Sequence, residues 1–360
     1  MRVIIAPDKF AGTMSAAEVA AAIAEGWRSQ RPDDELIVVP MADGGAGTLD
    51  VVSSAVPEAR VEQTEVADAR GRARTGRLLV LPDGRVLLEA AEACGLAWLD
   101  EADRDPRRAT SYGVGQLLLA AQRLGPRQIL IGLGGSATSD GGGGMATALG
   151  HRLLRADGNG LKVGAVHLLD LDRIVPGQVD LAPVTVVSDV TNPLLGPDGA
   201  VAVFAPQKGA SAEDLPVLET AVAHLADVVE RDVPGGPWRD LPGAGAAGGL
   251  GFALLAFCGA TIANGAEAVA DLTGFSDAVG NADVVIAGEG KLDDQTLSGK
   301  TPAFVAGRGH DAGARVLAIA GQAVGRGREL FDQVGVLGSG GFDRPVELTR
   351  ERAAELAAAV

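Results

Sequence analysis

Glycine-rich polar segments contain the side chains of this chain that are best suited to chemistry. The first, Pro7-Asp8-Lys9-Phe10-Ala11-Gly12, places an acid and a base between an apolar run and the start of a helix, where anions are favoured. The second, Met41-Ala42-Asp43-Gly44-Gly45-Ala46-Gly47-Thr48, follows Asp43 with glycines whose backbone amides can approach a carboxylate or a phosphate. We expect Asp43 to bind a metal or to accept a hydroxyl proton, although Asp-Gly-Gly is also common in turns.

A third segment, Gly132-Leu133-Gly134-Gly135-Ser136-Ala137-Thr138-Ser139-Asp140, leads through further glycines into a helix. Glycines and hydroxyls at a helix N-terminus can form a phosphate cradle. The alternative is a tight packing turn between a strand and a helix. We predict substrate or phosphate contacts from Gly134, Gly135, Ser136 and Asp140.

A fourth segment, Ser188-Asp189-Val190-Thr191-Asn192-Pro193, also follows an apolar run, and Pro206-Gln207-Lys208-Gly209 comes somewhat later. Asp189 and Asn192 are typical ligands of a hard metal or of a hydroxyl group, and Lys208 is a candidate phosphate contact. An ordinary turn at Asn192 and a lysine that merely precedes a helix are the alternatives.

The fifth segment combines carboxylates with lysines: Ala287-Gly288-Glu289-Gly290-Lys291-Leu292-Asp293-Asp294-Gln295-Thr296, then Ser298-Gly299-Lys300-Thr301. Its end resembles half of a Walker A loop, but Asp294 stands where that motif needs glycine. Glu289 and Asp293 are spaced to hold Mg²⁺, which commonly uses one or two carboxylates plus substrate phosphates. Lys300 precedes a helix and suits a phosphate, whereas a plain charged loop is the alternative.

Acidic groups, lysines and exposed N–H groups in this combination favour phosphoryl transfer, in which positioning and charge stabilisation dominate. Hydrolase chemistry has little support, because the chain has no Gly-x-Ser-x-Gly elbow and its four histidines have no metal-ligand spacing. We predict binding roles for a wider set of residues: Asp8, Gly44, Gly45, Asn192, Lys208, Lys291, Gln295 and Lys300.

Short β-branched runs alternate with alanine-rich helices, which is the pattern of parallel α/β layers. The predicted strands are 3–6, 36–39, 129–133, 184–187, 283–287, 315–320 and 334–337. The predicted helices are 15–28, 48–55, 110–124, 211–231 and 245–258. Between residues 61 and 90 the alternation instead predicts antiparallel strands, with a hairpin turn at Pro82-Asp83-Gly84.

Chain length and this order of elements predict two α/β domains. The chain has 360 residues, 47% of them hydrophobic, which is long for a single domain. We predict a Rossmann-like parallel-sheet domain formed by residues 1–60 and 284–360. Residues 61–283 form an inserted second α/β domain that begins with the antiparallel patch.

Charge and cysteine content limit the possible partners. A formal net charge of −16, without a local run of basic residues, disfavours nucleic acid and anionic membranes. No apolar run is long enough to predict a membrane span. Cys94 and Cys258 lie in apolar surroundings, and we expect reduced thiols and therefore a cytoplasmic protein, with a disulfide between them as the alternative.

The combined motifs resemble those of the bacterial glycerate kinase family. The resemblance runs from Arg2 to about residue 340 and rests on PMADGGAGT, IGLGGSATSDGG, SDVTNPLLG, FAPQKGA, PGAGAAGGLG and AGEGKLDDQTLSGK. It implies two α/β domains with the active site in the cleft, and it implies MgATP and D-glycerate as substrates with 2-phosphoglycerate as product. It also places Asp43, Asp189 and Glu289 closest to the chemistry, while Ser136, Asp140, Lys208 and Lys300 contact substrate or phosphates.

Two departures from the family pattern bear on function. The first motif usually reads Asp-Ser-Phe-Lys-Gly, whereas here Lys9 stands two places earlier. Residues two apart on an extended segment face the same side, so we expect Lys9 to serve in catalysis. The second usually reads Gly-Gly-Glu-Gly-Thr, and Ala46 replaces its glutamate. Formation of 3-phosphoglycerate, another small hydroxy acid as substrate, and a non-catalytic ligand-binding role are the alternatives.

Overall fold

The structure, a computed structural model, describes residues 1–178, 180–298 and 300–360. Gly299, which belongs to the fifth glycine-rich segment, lies outside the described residues. The strands are β1 (Arg2–Pro7), β2 (Glu35–Val38), β3 (Arg60–Ala67), β4 (Ala73–Val80), β5 (Arg85–Glu89), β6 (Gln128–Gly132), β7 (Arg152–Leu154), β8 (Arg173–Val175), β9 (Val184–Val187), β10 (Thr261–Ala263), β11 (Val284–Leu292), β12 (Arg315–Ala323) and β13 (Gln333–Val336). The α-helices are α1 (Ala16–Gln30), α2 (Thr48–Ala55), α3 (Ala91–Cys94), α4 (Tyr112–Arg123), α5 (Gly143–Ala148), α6 (Ala200–Phe204), α7 (Asp214–Asp232), α8 (Ala246–Cys258), α9 (Gly265–Thr273), α10 (Phe275–Ala278), α11 (Thr301–Asp311) and α12 (Pro345–Ala358).

These elements form two compact units, and their mixed α/β composition confirms the predicted fold class. Unit 1 comprises Met1–Asp43, Asp50–Pro57 and Asn264–Val360, and unit 2 comprises Gly44–Leu49 and Glu58–Ala263. Residues 264–283 belong to unit 1 because α9 and α10 bury Val269 and Phe275 in the core that also contains Ile4. The predicted domain bounds, at residues 60 and 283, stay a prediction.

Unit 1 is built on a parallel five-stranded sheet with the order β13-β12-β11-β1-β2. Successive residues of β1 face opposite sides, as strand geometry requires. Val3 and Ile5 pack with α1 and α12, and Ile4 packs with α9 and α11 on the other side. A capping box begins α1, since the Ser15 side chain accepts from the Glu18 N–H and the Glu18 carboxylate accepts from the Ser15 N–H.

Unit 2 contains a six-stranded sheet with the order β10-β9-β6-β5-β4-β3. Strands β10, β9, β6 and β5 are parallel. Strands β5, β4 and β3 are antiparallel, as the alternation of their residues predicts. The sequence reading missed β10 and the short antiparallel pair β7–β8, because runs of three residues give no readable period.

Strands β11 and β12 extend further than predicted, which changes the setting of one candidate residue. They pair in register as far as Leu292 and Ala323, so Glu289 lies within β11 opposite Ala320 instead of in a loop after the strand. The expectation of free cysteines is confirmed for Cys94 and Cys258. Within the described ranges, none of the helices combines the length and the apolar character that a membrane span requires.

Candidate active-site residues

Three carboxylates of unit 1, Asp8, Asp43 and Glu289, form what we call the acidic cluster. Asp8 directly follows β1, and its N–H donates to the Gly288 carbonyl oxygen at 2.9 Å, which places it beside the strand that contains Glu289. Asp43 follows β2, the other neighbour of β1. The carboxyl ends of parallel strands share one edge of a sheet, where α/β proteins bind their ligands. The fold therefore gathers three of the predicted residues in one place.

Burial and mutual repulsion disfavour the charged forms in this cluster. Burial raises the pKa of Asp8 to about 7, and the charge of Asp43 adds to the effect, while Lys9 opposes it. Burial likewise raises the pKa of Glu289 to about 7. Lys300 lowers the pKa of Glu289 and Asp8 raises it, and the Thr296 hydroxyl, which donates to Oε2 at 3.2 Å, lowers it. Asp8 and Glu289 are thus protonated more readily than in water, and a bound cation would favour their charged forms.

Asp293, predicted as a metal ligand beside Glu289, has different surroundings. Its Oδ2 lies 3.1 Å from the Lys291 Nζ, and its Oδ1 accepts from the Gln295 N–H at 3.0 Å. Partial burial tends to raise the pKa of Asp293, but these two contacts outweigh it, and the pKa lies below its usual value. Lys300 Nζ lies 3.4 Å from the Gln295 Oε1. Asp293 therefore pairs with a lysine and has a lowered pKa, whereas the pKa values of Asp8 and Glu289 are raised.

The acidic cluster fits a hard divalent cation that is completed by other ligands. Among the described residues, no group of three or more His, Cys, Asp or Glu side chains is arranged to hold a metal ion by itself. Mg²⁺ commonly binds one or two protein carboxylates and takes its other ligands from water and phosphate oxygens. Because a bound cation favours ionised carboxylates, the raised pKa values of Asp8 and Glu289 are compatible with such a site, while a metal role for Asp293 stays a prediction.

Several glycines of unit 2 allow two segments of backbone to touch. A Cβ atom on Gly132 would lie 2.2 Å from the Gly44 carbonyl oxygen, and one on Gly134 would lie 2.5 Å from the Gly45 Cα. A Cβ on Gly44 would meet the Val187 carbonyl oxygen at 2.2 Å. Residues 44–47 therefore cross the carboxyl ends of β6 and β9. These contacts favour the packing interpretation over a phosphate cradle for Gly44, Gly45 and Gly134.

Glu89, at the end of β5, anchors the same segment, and the sequence analysis missed it. Its side chain is 3% exposed, its Oε1 accepts from the Leu49 N–H at 2.6 Å, and both its oxygens lie near the Gly47 N–H, at 3.1 and 3.2 Å. The available signal was a single acid that closes the apolar strand Arg85–Glu89, since buried carboxylates need partners. Glu89 thus supplies a carboxylate to the segment in which Ala46 replaces the usual glutamate.

Lys208 lies inside unit 2 with neutral partners. Its side chain is 2% exposed, and its Nζ donates to the Thr138 carbonyl oxygen at 2.6 Å and to the Ser136 Oγ at 3.3 Å. Burial lowers the pKa of Lys208 to about 8, although the nearby Cys94 and Asp140 oppose this. Ser136 and Lys208 both line a pocket of about 280 Å³. The structure thus brings together two predicted binding residues with a space that a ligand can enter.

Asp140 is 1% exposed and is surrounded by hydrogen-bond donors. Its Oδ2 accepts from the Ser111 N–H at 2.8 Å and from the Ser111 hydroxyl at 2.9 Å, and the Gly142 and Gly144 N–H groups donate to the carboxylate at 3.2 Å. Burial still raises its pKa. These contacts favour a role in holding the loop before α5, although direct substrate contact stays the prediction for Asp140.

Asp189 and Asn192 follow β9 in unit 2. Asp189 is half-buried, and the preceding Ser188 N–H donates to the Ala263 carbonyl oxygen of β10 at 3.2 Å. The Asn192 side-chain amide donates to the Asp198 backbone carbonyl oxygen at 2.8 Å. The backbone carbonyl oxygen of Asn192 accepts from the Gly245 N–H. Asn192 therefore stabilises a turn, which was the alternative interpretation, while a catalytic role for Asp189 stays a prediction.

Parallel α/β sheets whose strand ends present acidic side chains and lysines are typical of enzymes that act on phosphorylated substrates. Residues 3–350 match the model of the glycerate kinase family. The chain is 40% identical to a glycerate kinase of Halalkalibacterium halodurans over 93% of its own length and 88% of the relative. It is 38% identical to the glycerate 2-kinase of Escherichia coli K12, over 95% and 89% of the two chains.

Structural comparison agrees. A crystal structure of a Salmonella typhimurium LT2 protein, provisionally assigned as glycerate kinase 2, matches with a TM-score of 0.84 and 38% identity, over 100% of this chain and 98% of the other. The chain therefore belongs to the glycerate kinase family. The predicted resemblance and the prediction of an enzyme of the kinase class are confirmed.

Proposed function

We propose that this chain phosphorylates D-glycerate with ATP and releases 2-phosphoglycerate and ADP. The observation that carries the proposal is the acidic cluster, which brings Asp8, Asp43 and Glu289 together at the strand ends of unit 1, in a chain of this family. ATP is normally delivered with Mg²⁺, and such a cluster can receive a metal that is shared with phosphate oxygens.

The acidic cluster supports a division of roles among its members. Asp8 and Glu289 would hold Mg²⁺, which when bound offsets the charge of the phosphates. Asp43 would accept a hydrogen bond from the attacking hydroxyl group and orient it toward the phosphoryl group. Lys9 and Lys300, whose charges already act on Asp8 and Glu289, would stabilise the transferred oxygens.

The carbon that receives the phosphoryl group depends on how glycerate is oriented. The relative from Escherichia coli is named a glycerate 2-kinase, which supports the 2-hydroxyl as acceptor. We also expect small-molecule substrates and neither a nucleic acid nor a membrane as partner, since the net charge is strongly negative.

Product analysis tests this proposal directly. The purified protein is incubated with MgATP and D-glycerate, ADP release is followed, and the product is identified by phosphorus NMR, which separates 2-phosphoglycerate from 3-phosphoglycerate. We expect 2-phosphoglycerate, and we expect EDTA to abolish its formation. Folded protein that releases no ADP with D-glycerate, or that forms only 3-phosphoglycerate, would contradict the proposal.

A further inference from the structure

The pocket of about 280 Å³ in unit 2 has walls that suit an apolar ring. Leu96, Leu133, Val190 and Phe204 line it, together with the small side chains of residues 246 and 247. Ligand pockets are typically lined by apolar side chains with a few polar groups that fix orientation. D-glycerate carries a carboxylate and two hydroxyl groups on three carbons, so it has almost no apolar surface to place against such walls.

The volume also exceeds what glycerate requires. A pocket of about 280 Å³ has room for about nine water molecules at the volume each occupies in the liquid. Glycerate has seven heavy atoms, several of which need polar partners. A purine nucleoside is larger and has two flat apolar faces, and Phe204 offers a ring on which a base can stack.

Polar groups in the pocket can read the edge of a base and an attached phosphate. Ser188 and Gln207 line it with a hydroxyl group and a carboxamide. The Lys208 ammonium has three N–H donors. Among the described residues it makes the two hydrogen bonds to Ser136 and Thr138, so one N–H remains for a ligand.

One wall of the pocket has a strained backbone. Within the described chain, Ala247 is the single non-glycine residue with positive φ, at 54°, and Gly248 and Gly249 continue the left-handed run with φ of 70° and 92°. The left-handed conformation is unfavourable for an alanine, because its Cβ crowds the following carbonyl oxygen. A Cβ on Gly248 would lie 2.0 Å from the Thr138 carbonyl oxygen, which is the acceptor of Lys208. The strained segment is therefore fixed against the residues that hold the lysine.

We propose that this pocket of unit 2 binds the adenine nucleoside of ATP, with Phe204 and Leu133 against the base and Ala247 limiting the size of the ligand. This proposal rests on the proposed kinase function for its nucleotide. It gives a role to the Pro-Gly-Ala-Gly-Ala-Ala-Gly-Gly-Leu-Gly segment around Ala247, which no step of phosphoryl transfer uses.

Two substitutions of opposite kind test the pocket. Ala247→Leu adds three carbon atoms to the wall of the pocket. Phe204→Ala removes the aromatic ring of a partly exposed residue that lines it. Ala97→Leu adds the same bulk at an exposed site outside the lining and is the matched control. ADP and adenosine binding is measured by calorimetry in EDTA, and KM for ATP and for D-glycerate is measured separately.

We expect the wild type to bind ADP and adenosine competitively. We expect Ala247→Leu and Phe204→Ala each to raise the ADP dissociation constant about tenfold or more, while their KM for D-glycerate changes less than about threefold. In the control variant Ala97→Leu, we expect the ADP dissociation constant to change less than about threefold. A raised KM for D-glycerate with unchanged ADP affinity would overturn the proposal. A lack of competition between adenosine and ADP for binding would also overturn the proposal.

The binding measurement separates this proposal from the proposed function. Suppose that the wild type phosphorylates no glycerate but binds ADP, and that both pocket variants bind ADP much more weakly. The pocket assignment then stands and the proposed glycerate kinase reaction is wrong. If the chain is active and both pocket variants keep wild-type ADP affinity and KM for ATP, the kinase reaction stands and the pocket assignment fails.

Discussion

The acidic cluster of unit 1 and the Lys208 site of unit 2 bury charge of opposite sign. In the acidic cluster, burial raises the pKa of Asp8 and Glu289 to about 7. At the second site, burial lowers the pKa of Lys208 to about 8, and its two hydrogen-bond partners are neutral. Burying a charge without full compensation costs free energy. We therefore expect each site to favour a ligand of opposite charge, a cation in unit 1 and an anionic or electron-rich ligand in unit 2.

The distribution of lysine supports the same comparison. Only five of the 31 basic residues are lysines, and four of them lie in the glycine-rich segments: Lys9, Lys208, Lys291 and Lys300. Lysine is a compact charge with three donors and is a common phosphate binder, whereas arginine is the usual partner of surface carboxylates. In this strongly acidic chain, lysine is thus concentrated where the proposed phosphorylated substrate needs it.

The largest effect is expected for Glu289→Gln, which keeps the shape of the side chain but removes its charge. We expect kcat/KM to fall about 10³-fold, or about 4 kcal/mol in transition-state stabilisation, because the proposed metal loses a carboxylate. Steady-state kinetics with MgATP and D-glycerate measures this. Asp293→Asn is the matched control, and we expect less than a threefold change because Lys291 already pairs with Asp293. A loss of activity in Asp293→Asn as severe as in Glu289→Gln would restore the Glu289–Asp293 metal pair.

The second prediction concerns Glu89 and the segment that it anchors. Glu89→Ala leaves the Gly47 and Leu49 N–H groups without their acceptor, so we expect a loss of about 3 kcal/mol in the free energy of unfolding. Urea unfolding measures it. Glu89→Gln keeps one acceptor oxygen, so we expect it to lose about half as much free energy of unfolding as Glu89→Ala. The control is the exposed Glu65→Ala, for which we expect a change of less than about 0.5 kcal/mol. Equal stability of Glu89→Ala and the wild type would remove the anchoring role.

Much of the fold could be predicted because parallel strands repeat a simple pattern. Buried β-branched runs predict β1, β6 and β9, and because the carboxyl ends of parallel strands share an edge, the residues that follow these strands are candidate site residues. The packing role of Gly134 could not be predicted, since it depends on contact with Gly45, which lies far earlier in the chain. The sequence predicts a binding role for Asp8. Its position beside Glu289 could not be predicted, because it depends on the register between β1 and β11.

The third prediction uses the pH dependence of stability at Lys208. Its folded-state pKa of about 8 lies below the ordinary lysine value of 10.5, so between these pH values the unfolded chain binds more protons than the folded one. Stability due to this residue therefore rises with pH in this window. We expect the free energy of unfolding of the wild type, relative to Lys208→Met, to improve by about 2 kcal/mol from pH 7 to pH 10. Urea unfolding at both pH values measures it, with the exposed Lys162→Met as control. A difference that does not change with pH would show that Lys208 is not a buried, uncompensated charge.

The smallest effect is expected for Gly134→Ala. The added Cβ would lie 2.5 Å from the Gly45 Cα, so the two backbone segments must separate, at a cost of about 1–2 kcal/mol. Thermal unfolding checks this against Gly160→Ala, whose Cβ would have no neighbour within 4 Å. If Gly134→Ala instead left stability unchanged and weakened ATP binding, the phosphate-cradle interpretation would replace the packing one.

The affinity for ATP with and without Mg²⁺, in the wild type and in Glu289→Gln, shows whether the acidic cluster receives the metal of the nucleotide. We expect Mg²⁺ to tighten ATP binding to the wild type. We expect Glu289→Gln to lose this gain while it binds ATP in EDTA as well as the wild type does. An undiminished effect of Mg²⁺ in Glu289→Gln would contradict the claim that the acidic cluster receives the metal of the nucleotide.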